Sequence, residues 1–493
     1  MAGKVIMVQG TSSSAGKSML VAALCRIYAR RGVKVAPFKA QNMSNNAGVC
    51  ADGSEIGRAQ ITQAFAAGIS PTAEMNPVLL KPESNMRSQV VVMGKARETL
   101  PARSYFERKQ MLWGTVTKAL DSLREEYDLV IVEGAGSPVE LNLKSNDIVN
   151  MAIARYANAP VILVGDIDRG GIFPQLLGTL WLFPPEEQAL VYGFVVNKFR
   201  GDLSLFDDGI QILVERSGKK VLGVLPWVED LNLPEEDGVA LNNFQSNEEN
   251  GTLDIAVLHI PRISNFDDFD PLIQEPGVSV RYVKSPEQLG TPDAVILPGT
   301  KSTMADLQWL YDRGFAEPLR KLAERNTAVV GICGGYQMLG THVYDPDLVE
   351  AEAPHLEGLG ILPYETTFVG NKATHQASAR ISGAKGWMAP LNGSEITGYE
   401  IHMGRTDCPY PWLTIETRGE TAVSVLDGAM SDNQQIWGCY LHGLFANDDF
   451  RRAWLRHLGW RGEDTAVDTL DAALNRLADI VESSLELNGL ISS

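Results

Sequence analysis

At 493 residues the chain is longer than one hydrophobic core usually supports, and two or three domains are expected. Apolar residues make up 44% and charged residues 21%, the balance of a folded globular protein and not of a disordered one. A net charge of −18 excludes a nucleic-acid scaffold or an anionic membrane surface as partner, so an anionic substrate would need a locally basic pocket.

No apolar run is long enough to span a bilayer and no signal peptide is evident. Cys25, Cys50, Cys333, Cys408 and Cys439 are scattered, with no metal-like spacing. A cytoplasmic location with reduced thiols is the expectation.

In chain order, short apolar runs predict buried strands at 4–10, 34–39, 129–134, 159–167, 192–199 and 221–226, with helical stretches such as 18–31 between them. That alternation is the pattern of an α/β parallel sheet. The first strand runs into Gly10-Thr11-Ser12-Ser13-Ser14-Ala15-Gly16-Lys17-Ser18, which opens the first helix. Backbone N–H groups of such a loop cradle phosphates, Lys17 reaches the outer phosphate oxygens, and the Ser18 hydroxyl can ligate magnesium. The spacing is one residue longer than the usual form of this loop. Glu133 ends the third of these strands, where a magnesium-binding acid belongs, and runs into Gly-Ala-Gly-Ser-Pro. Asp166-Ile167-Asp168-Arg169 and Asn197-Lys198-Phe199-Arg200 end the next two strands and point to the same edge. Asp147 lies close enough after the Glu133 loop to assist catalysis, although a helix N-cap explains it nearly as well. Lys39, Arg169, Lys198 and Arg200 are the cations available to hold substrate carboxylates.

Residues 231–251 turn to Asn, Glu, Gln, Ser and Gly without periodicity, which marks a linker. A second α/β series follows, with strands expected at 254–260, 278–283, 294–298 and 327–332. The divisions are 1–235, a linker at 236–251, 252–450, and a helical tail at 451–493. In the tail, Leu470, Leu474, Leu477, Ile480, Val481 and Leu485 fall at helical spacing, a packing stripe.

The last of these strands leads into Gly-Ile-Cys-Gly-Gly-Tyr-Gln-Met-Leu-Gly at 331–340. A cysteine at a strand–turn–helix elbow is held out of the core, its thiolate favoured by the helix N-terminus and an oxyanion served by nearby N–H groups. A cysteine nucleophile needs a base. His442 and His402 both qualify, and spacing does not choose between them; His259 sits within a strand pattern and reads as core.

The 331–340 run, with Tyr440-Leu441-His442-Gly443 downstream, resembles the glutaminase domain of class I glutamine amidotransferases. The resemblance implies a flavodoxin-like domain, Cys333 as nucleophile and His442 as base. The Leu297-Pro298-Gly299-Thr300-Lys301 turn is similar to the loop that supplies an oxyanion N–H, so Gly299 and Gly334 are the implied donors. The family usually has a glutamate two residues after the histidine. Here that position is Leu444, and the orienting acid is unassigned. The first half resembles dethiobiotin-synthetase-like P-loop ligases, which use ATP to activate a carboxylate.

Joined, the halves resemble the cobyrinic acid amidotransferases of cobalamin synthesis. Pro-Phe-Lys-Ala-Gln-Asn-Met at 37–43, the Glu133, Asp166 and Asn197 motifs, and Gly-Tyr-Glu-Ile-His-Met-Gly at 398–404 point to the branch that amidates the b, d, e and g carboxylates of adenosylcobyrinic acid a,c-diamide. That resemblance implies glutamine and this corrinoid as substrates, with ATP and Mg2+. It assigns Gly10, Thr11, Gly16, Lys17, Ser18 and Asn197 to the nucleotide, Ser18 and Glu133 to the metal, and Gln41, Asn42 and His402 to the substrate beside the four cations. Ser14 stands where many relatives have an aspartate. The competing readings are the a,c-diamide branch and a partitioning-type ATPase switch; the latter leaves Cys333 and His442 unexplained.

Overall fold

The computed structural model describes residues 2–84, 87–101, 103–105, 109–228, 231, 233–234, 241, 253–351, 353–407, 410–463 and 469–491. Most of the expected linker at 236–251 therefore lies outside the described residues.

The first half is built on strands β1 (Lys4–Gly10), β2 (Val35–Phe38), β3 (Leu129–Glu133), β4 (Val161–Asp166), β5 (Val191–Phe199) and β6 (Lys220–Pro226). They form one sheet in the order β6-β5-β4-β1-β3-β2, with every pair parallel. Helices cover both faces, so the inner strands are apolar along their whole length and not alternating. Register does the positioning: Val8 pairs with Glu133, Gly10 with Val164 and Asp166 with Asn197. The strand ends that carry polar residues thus meet along one edge. Helix α1 (Lys17–Arg30) leaves this edge directly after the glycine-rich loop, and α2 (Arg58–Ala67) packs beside it.

The second half repeats the plan with β7 (Leu253–Leu258), β8 (Val278–Val283), β9 (Ala294–Leu297) and β10 (Ala328–Ile332). Between β10 and the next strand of this sheet the chain makes a short helix α3 (Gly334–Leu339) and two long antiparallel strands, β11 (Glu365–Ile381) and β12 (Glu395–Asp407). It then returns as β13 (Ile436–Cys439), parallel to β10. The sheet order is β8-β7-β9-β10-β13, with a two-residue strand at the edge.

The two halves share a small core in which Ala47, Val49, Leu79 and Val91 from the first surround Ile401 of β12. Beside it lies a buried ion triplet. Glu55 sits 2.5 Å from Lys81 of its own half and 2.5 Å from Lys372 of β11. Burial opposes the charge on Glu55, but the two ammonium groups outweigh it and hold the carboxyl well below the usual carboxylate range. A carboxyl depressed in the folded state adds stability above its unfolded value of 4.5 and loses it as pH falls toward the folded one. Glu55→Gln is expected to cost ~3–5 kcal/mol at pH 7, because two buried ammonium groups then lack their counter-ion. Denaturant titrations across acid pH should also show a flatter pH dependence in the variant. An unchanged midpoint at pH 7 would count against the triplet as a clamp between the halves.

Helix α4 (Leu470–Ser484) folds back over the first half, with Leu474, Leu477 and Val481 buried in a core shared with α1. Ion pairs Arg26–Asp471 and Arg31–Glu482 flank the contact, and Leu485 bridges to Gly223 of β6.

Candidate active sites

The β10–α3 elbow is sterically demanding. Cys333 adopts φ 50 and ψ −106, a conformation that a non-glycine residue holds only under constraint. The Cys333 N–H donates to the Cys439 carbonyl at 2.9 Å and Gln337 N donates to the Cys333 carbonyl at 3.1 Å, which supplies that constraint. Close packing explains the glycines. A Cβ on Gly335 would lie 1.9 Å from the Leu297 carbonyl oxygen, so α3 approaches β9 only because that atom is missing. This is the geometry of a nucleophile elbow, with the side chain lifted off the strand end.

His442 is brought to the cysteine by two constraints. β13 pairs Cys439 with Ile332, and three residues on, His442 and Tyr399 exchange both backbone hydrogen bonds, at 3.1 and 2.9 Å. The imidazole is 1% exposed and lies close enough to Cys333 to feel its charge, while the Cys333 sulfur is 3.6 Å from the Ile401 carbonyl oxygen. Its Nδ1 lies 2.6 Å from Asp268 Oδ2, and the other Asp268 oxygen accepts from Gly443 N at 2.8 Å. Nδ1 is thereby committed to the carboxylate, which leaves Nε2 as the ring nitrogen free to exchange a proton. The acid that the sequence left unassigned at Leu444 is met by Asp268, in the turn Phe266–Phe269 after β7. Leu444 itself is buried and apolar. Burial disfavours the imidazolium, but the carboxylate of Asp268 and the nearby Cys333 outweigh it and raise His442 to about 10.

His402, the rival base, lies elsewhere. It stacks on Tyr440 at 3.9 Å, with Nδ1 2.8 Å from the Gly404 carbonyl and Nε2 3.2 Å from Glu400. Gly299 and Gly334 flank the cysteine: a Cβ on Gly299 would come within 2.8 Å of His442 Cε1, and one on Gly334 within 3.1 Å of Thr300 N.

The second site is a cavity of about 1070 Å3 at the carboxyl edge of the first sheet. Thr11, Gly16, Lys17, Ser18, Lys39, Gln41, Asn42, Glu133, Asp147, Arg169 and Lys198 all line it. Lys17 Nζ reaches the carbonyls of Ser12 and Gly136 at 2.9 and 3.2 Å, holding the glycine-rich loop against the Glu133 loop. Gly10, at the mouth of the loop, lies against the Lys17 side chain. Gly16 has φ 97, and a Cβ there would lie 2.0 Å from Asn197 Nδ2, which itself donates to the Ala15 carbonyl at 2.9 Å. Asn197 supports the loop from beneath.

The Ser18 hydroxyl donates to Glu133 Oε1 at 2.8 Å, and Lys39 Nζ lies 2.9 Å from the same oxygen. Hydroxyl and carboxylate side by side form the hard oxygen set that magnesium takes with phosphate, so the residues fit that ion. Burial acts to raise Glu133; Lys39 and hydrogen bonds from Lys39, Gln63 and Ser18 bring it below its ordinary value.

Two expected residues stand apart from this cavity. Arg200 pairs with Asp168 at 2.9 Å and stacks 3.6 Å over Trp227, on the outer side of the β5 end. His402 belongs to the other half. Asp147 lines the cavity, but both its oxygens accept backbone N–H groups, from Val149, Asn150 and Ala152, so it acts there as a cap for the helix Met151–Ala157. Among the described residues, no cluster of three or more His, Cys, Asp or Glu suits a metal ion, and no helix is long and apolar enough to cross a membrane.

Residues 6–241 match the family of CobQ/CobB/MinD/ParA nucleotide binding domains, and residues 254–450 match the CobB/CobQ-like glutamine amidotransferase domain. A cobyric acid synthase of Chloroflexus aggregans is 56% identical over 98% of this chain and 96% of its own length. One from Roseiflexus castenholzii is 57% identical over 95% of each chain. The chain belongs to the cobyric acid synthase family. As a cobyric acid synthase family member it is a glutamine-hydrolysing amidotransferase of cobalamin biosynthesis, with a nucleotide-binding domain that uses ATP. One from Dehalococcoides mccartyi, 48% identical over 98% of this chain and 97% of its own length, carries the same name.

Proposed function

We propose that this enzyme amidates the b, d, e and g carboxylates of adenosylcobyrinic acid a,c-diamide to cobyric acid, through an acyl phosphate and ammonia released from glutamine. The observation that carries the reading is one chain holding both a buried Cys333–His442–Asp268 array and a phosphate cradle with Lys17, Ser18 and Glu133.

Cys333 sulfur attacks the glutamine side-chain amide carbon, and the N–H groups near Gly299 and Gly334 receive the oxyanion. His442 gives its proton to the leaving nitrogen, the C–N bond breaks, and ammonia departs from a γ-glutamyl thioester. Water, deprotonated by His442, then releases glutamate. In the other half, Gly10, Thr11, Gly16 and Lys17 hold the triphosphate, with Asn197 supporting the loop. Ser18 and Glu133 would hold Mg2+, which when bound neutralises phosphate charge. Lys39, Arg169 and Lys198, with Gln41 and Asn42, bind and orient the corrinoid carboxylates. A carboxylate oxygen attacks the γ-phosphorus, ADP leaves, and ammonia displaces phosphate from the carbonyl carbon.

Isotopes test each part. With glutamine labelled by 15N at the amide, the product is expected to carry four heavy nitrogens. With 18O in the substrate carboxylates, one heavy oxygen per amide should appear in inorganic phosphate. Label in AMP, or fewer than four amides, would refute the route or the substrate.

A further inference from the structure

Helix α2 belongs to the nucleotide half, yet its first residue ends in the glutaminase site. Arg58 Nε lies 2.8 Å from Asp267 Oδ2, its Nη2 donates to the Tyr399 hydroxyl at 2.6 Å, and the guanidinium stands 5.2 Å from the centre of the Tyr399 ring. Tyr399 in turn stacks on His442 at 5.2 Å and 14°, and Asp267 is the chain neighbour of Asp268. The imidazole is thus held at its edge by Asp268 and on one face by Tyr399. One cation from the other half holds Tyr399 directly and Asp268 through its chain neighbour Asp267.

Two residues further along α2, Gln60 and Gln63, reach the phosphate cradle. Gln63 Nε2 donates to Glu133 Oε2 at 2.6 Å and to the Ser18 carbonyl at 3.4 Å. Gln60 Oε1 accepts from Asn42 at 2.9 Å. Among the described residues Gln60 Nε2 and Gln63 Oε1 are buried without a hydrogen-bond partner, so each has capacity for a group brought by substrate or nucleotide. Gln63 is five steps along the helix from Arg58, about 7.5 Å, so the two side chains are held on one short rigid segment.

We propose that Arg58 is a positioning residue for the His442–Asp268 couple, and that α2 links occupancy of the nucleotide site to glutamine hydrolysis. This rests on the two-site function above. The groups facing His442 are Asp267 and Asp268 from the turn, Cys333 from the elbow, Tyr399 from β12 and Arg58 from α2, with Asp270 and the Cys439 thiol behind them. Without Arg58, two adjacent carboxylates lose their shared cation and Tyr399 loses its tether.

The test uses the full chain and measures glutamate release against pH, with and without Mg-ATP, beside amidation driven by ammonium chloride. For Arg58→Met, the expected result is a roughly 30-fold fall in glutaminase kcat, with KM changed less than about threefold. The acid limb of its pH profile should move up by about one unit. The response to Mg-ATP should vanish and ammonium-driven amidation should stay near the parent rate. Arg58→Lys, which keeps the charge but not the fork, should recover part of kcat and return the acid limb. Parent-like kcat and pH profile in Arg58→Met would overturn the positioning role. A parallel loss of ammonium-driven amidation in both variants would reduce Arg58 to a structural prop and overturn it too. A parent glutaminase indifferent to Mg-ATP would overturn the link through α2. A parent that forms no amide from glutamine and ATP would instead overturn the underlying function.

Discussion

Cys333→Ser is expected to lower glutamine-dependent amidation by ~10⁴-fold or more while ammonium salts still support it near the parent rate. The hydroxyl fits the space, so the elbow folds, but a serine there lacks the nucleophilicity of a thiolate at neutral pH. The cysteine is 6% exposed and its backbone is fixed by Cys439 and Gln337, so the serine is held where the thiol was. The phosphate cradle is made from other strands and does not contain Cys333. Assays with glutamine and with ammonium chloride, run on the same preparation, check this. Equal loss with both nitrogen sources would contradict two separate sites.

Asp268→Asn is the second large effect, a fall of ~10²–10⁴-fold in glutaminase kcat near neutral pH. The amide keeps the shape but removes the charge that holds the Nδ1 proton in place. The sign of the accompanying stability change follows from the raised value. Held at about 10 against an ordinary 6.5, the His442 imidazolium favours the folded state fully below 6.5, and this contribution fades as pH climbs to 10. Removing Asp268 deletes the largest favourable cause, so the alkaline loss of stability between those values should flatten. Thermal unfolding from pH 6 to 10 measures it. A variant retaining more than a tenth of the parent kcat, with an unchanged unfolding profile, would remove Asp268 from the site.

The sheets were readable because buried parallel strands are continuous apolar runs, and the elbow because its glycines have one steric purpose. Glu133 could be placed by its position at a strand end. The same reasoning applied to the acidic run Phe266-Asp267-Asp268-Phe269-Asp270 after β7 would have proposed the missing acid. It was hidden by distance: Asp268 lies 174 residues before its partner, and the expectation was tied to the position two after the histidine. Arg200 was misplaced for a local reason. Lys198 has φ 64 and the β5–β6 register shifts between Val196 and Phe199, so the alternation of side chains breaks just before Arg200. The long β11–β12 hairpin and the strands within 41–101 gave no comparable pattern, since their buried residues are divided between the core of their own half and the small core shared by the two halves.

The return of α4 to the first half has a consequence for biosynthesis. Leu474, Leu477 and Val481 complete the face of α1, so the core of the first half cannot close until residues 470–484 have left the ribosome. At ~5–20 residues per second, the stretch from β6 to α4 takes on the order of tens of seconds to translate. During that interval α1, which carries the phosphate loop, presents an uncovered apolar face. Nascent chains stalled before residue 470 should therefore be the aggregation-prone species.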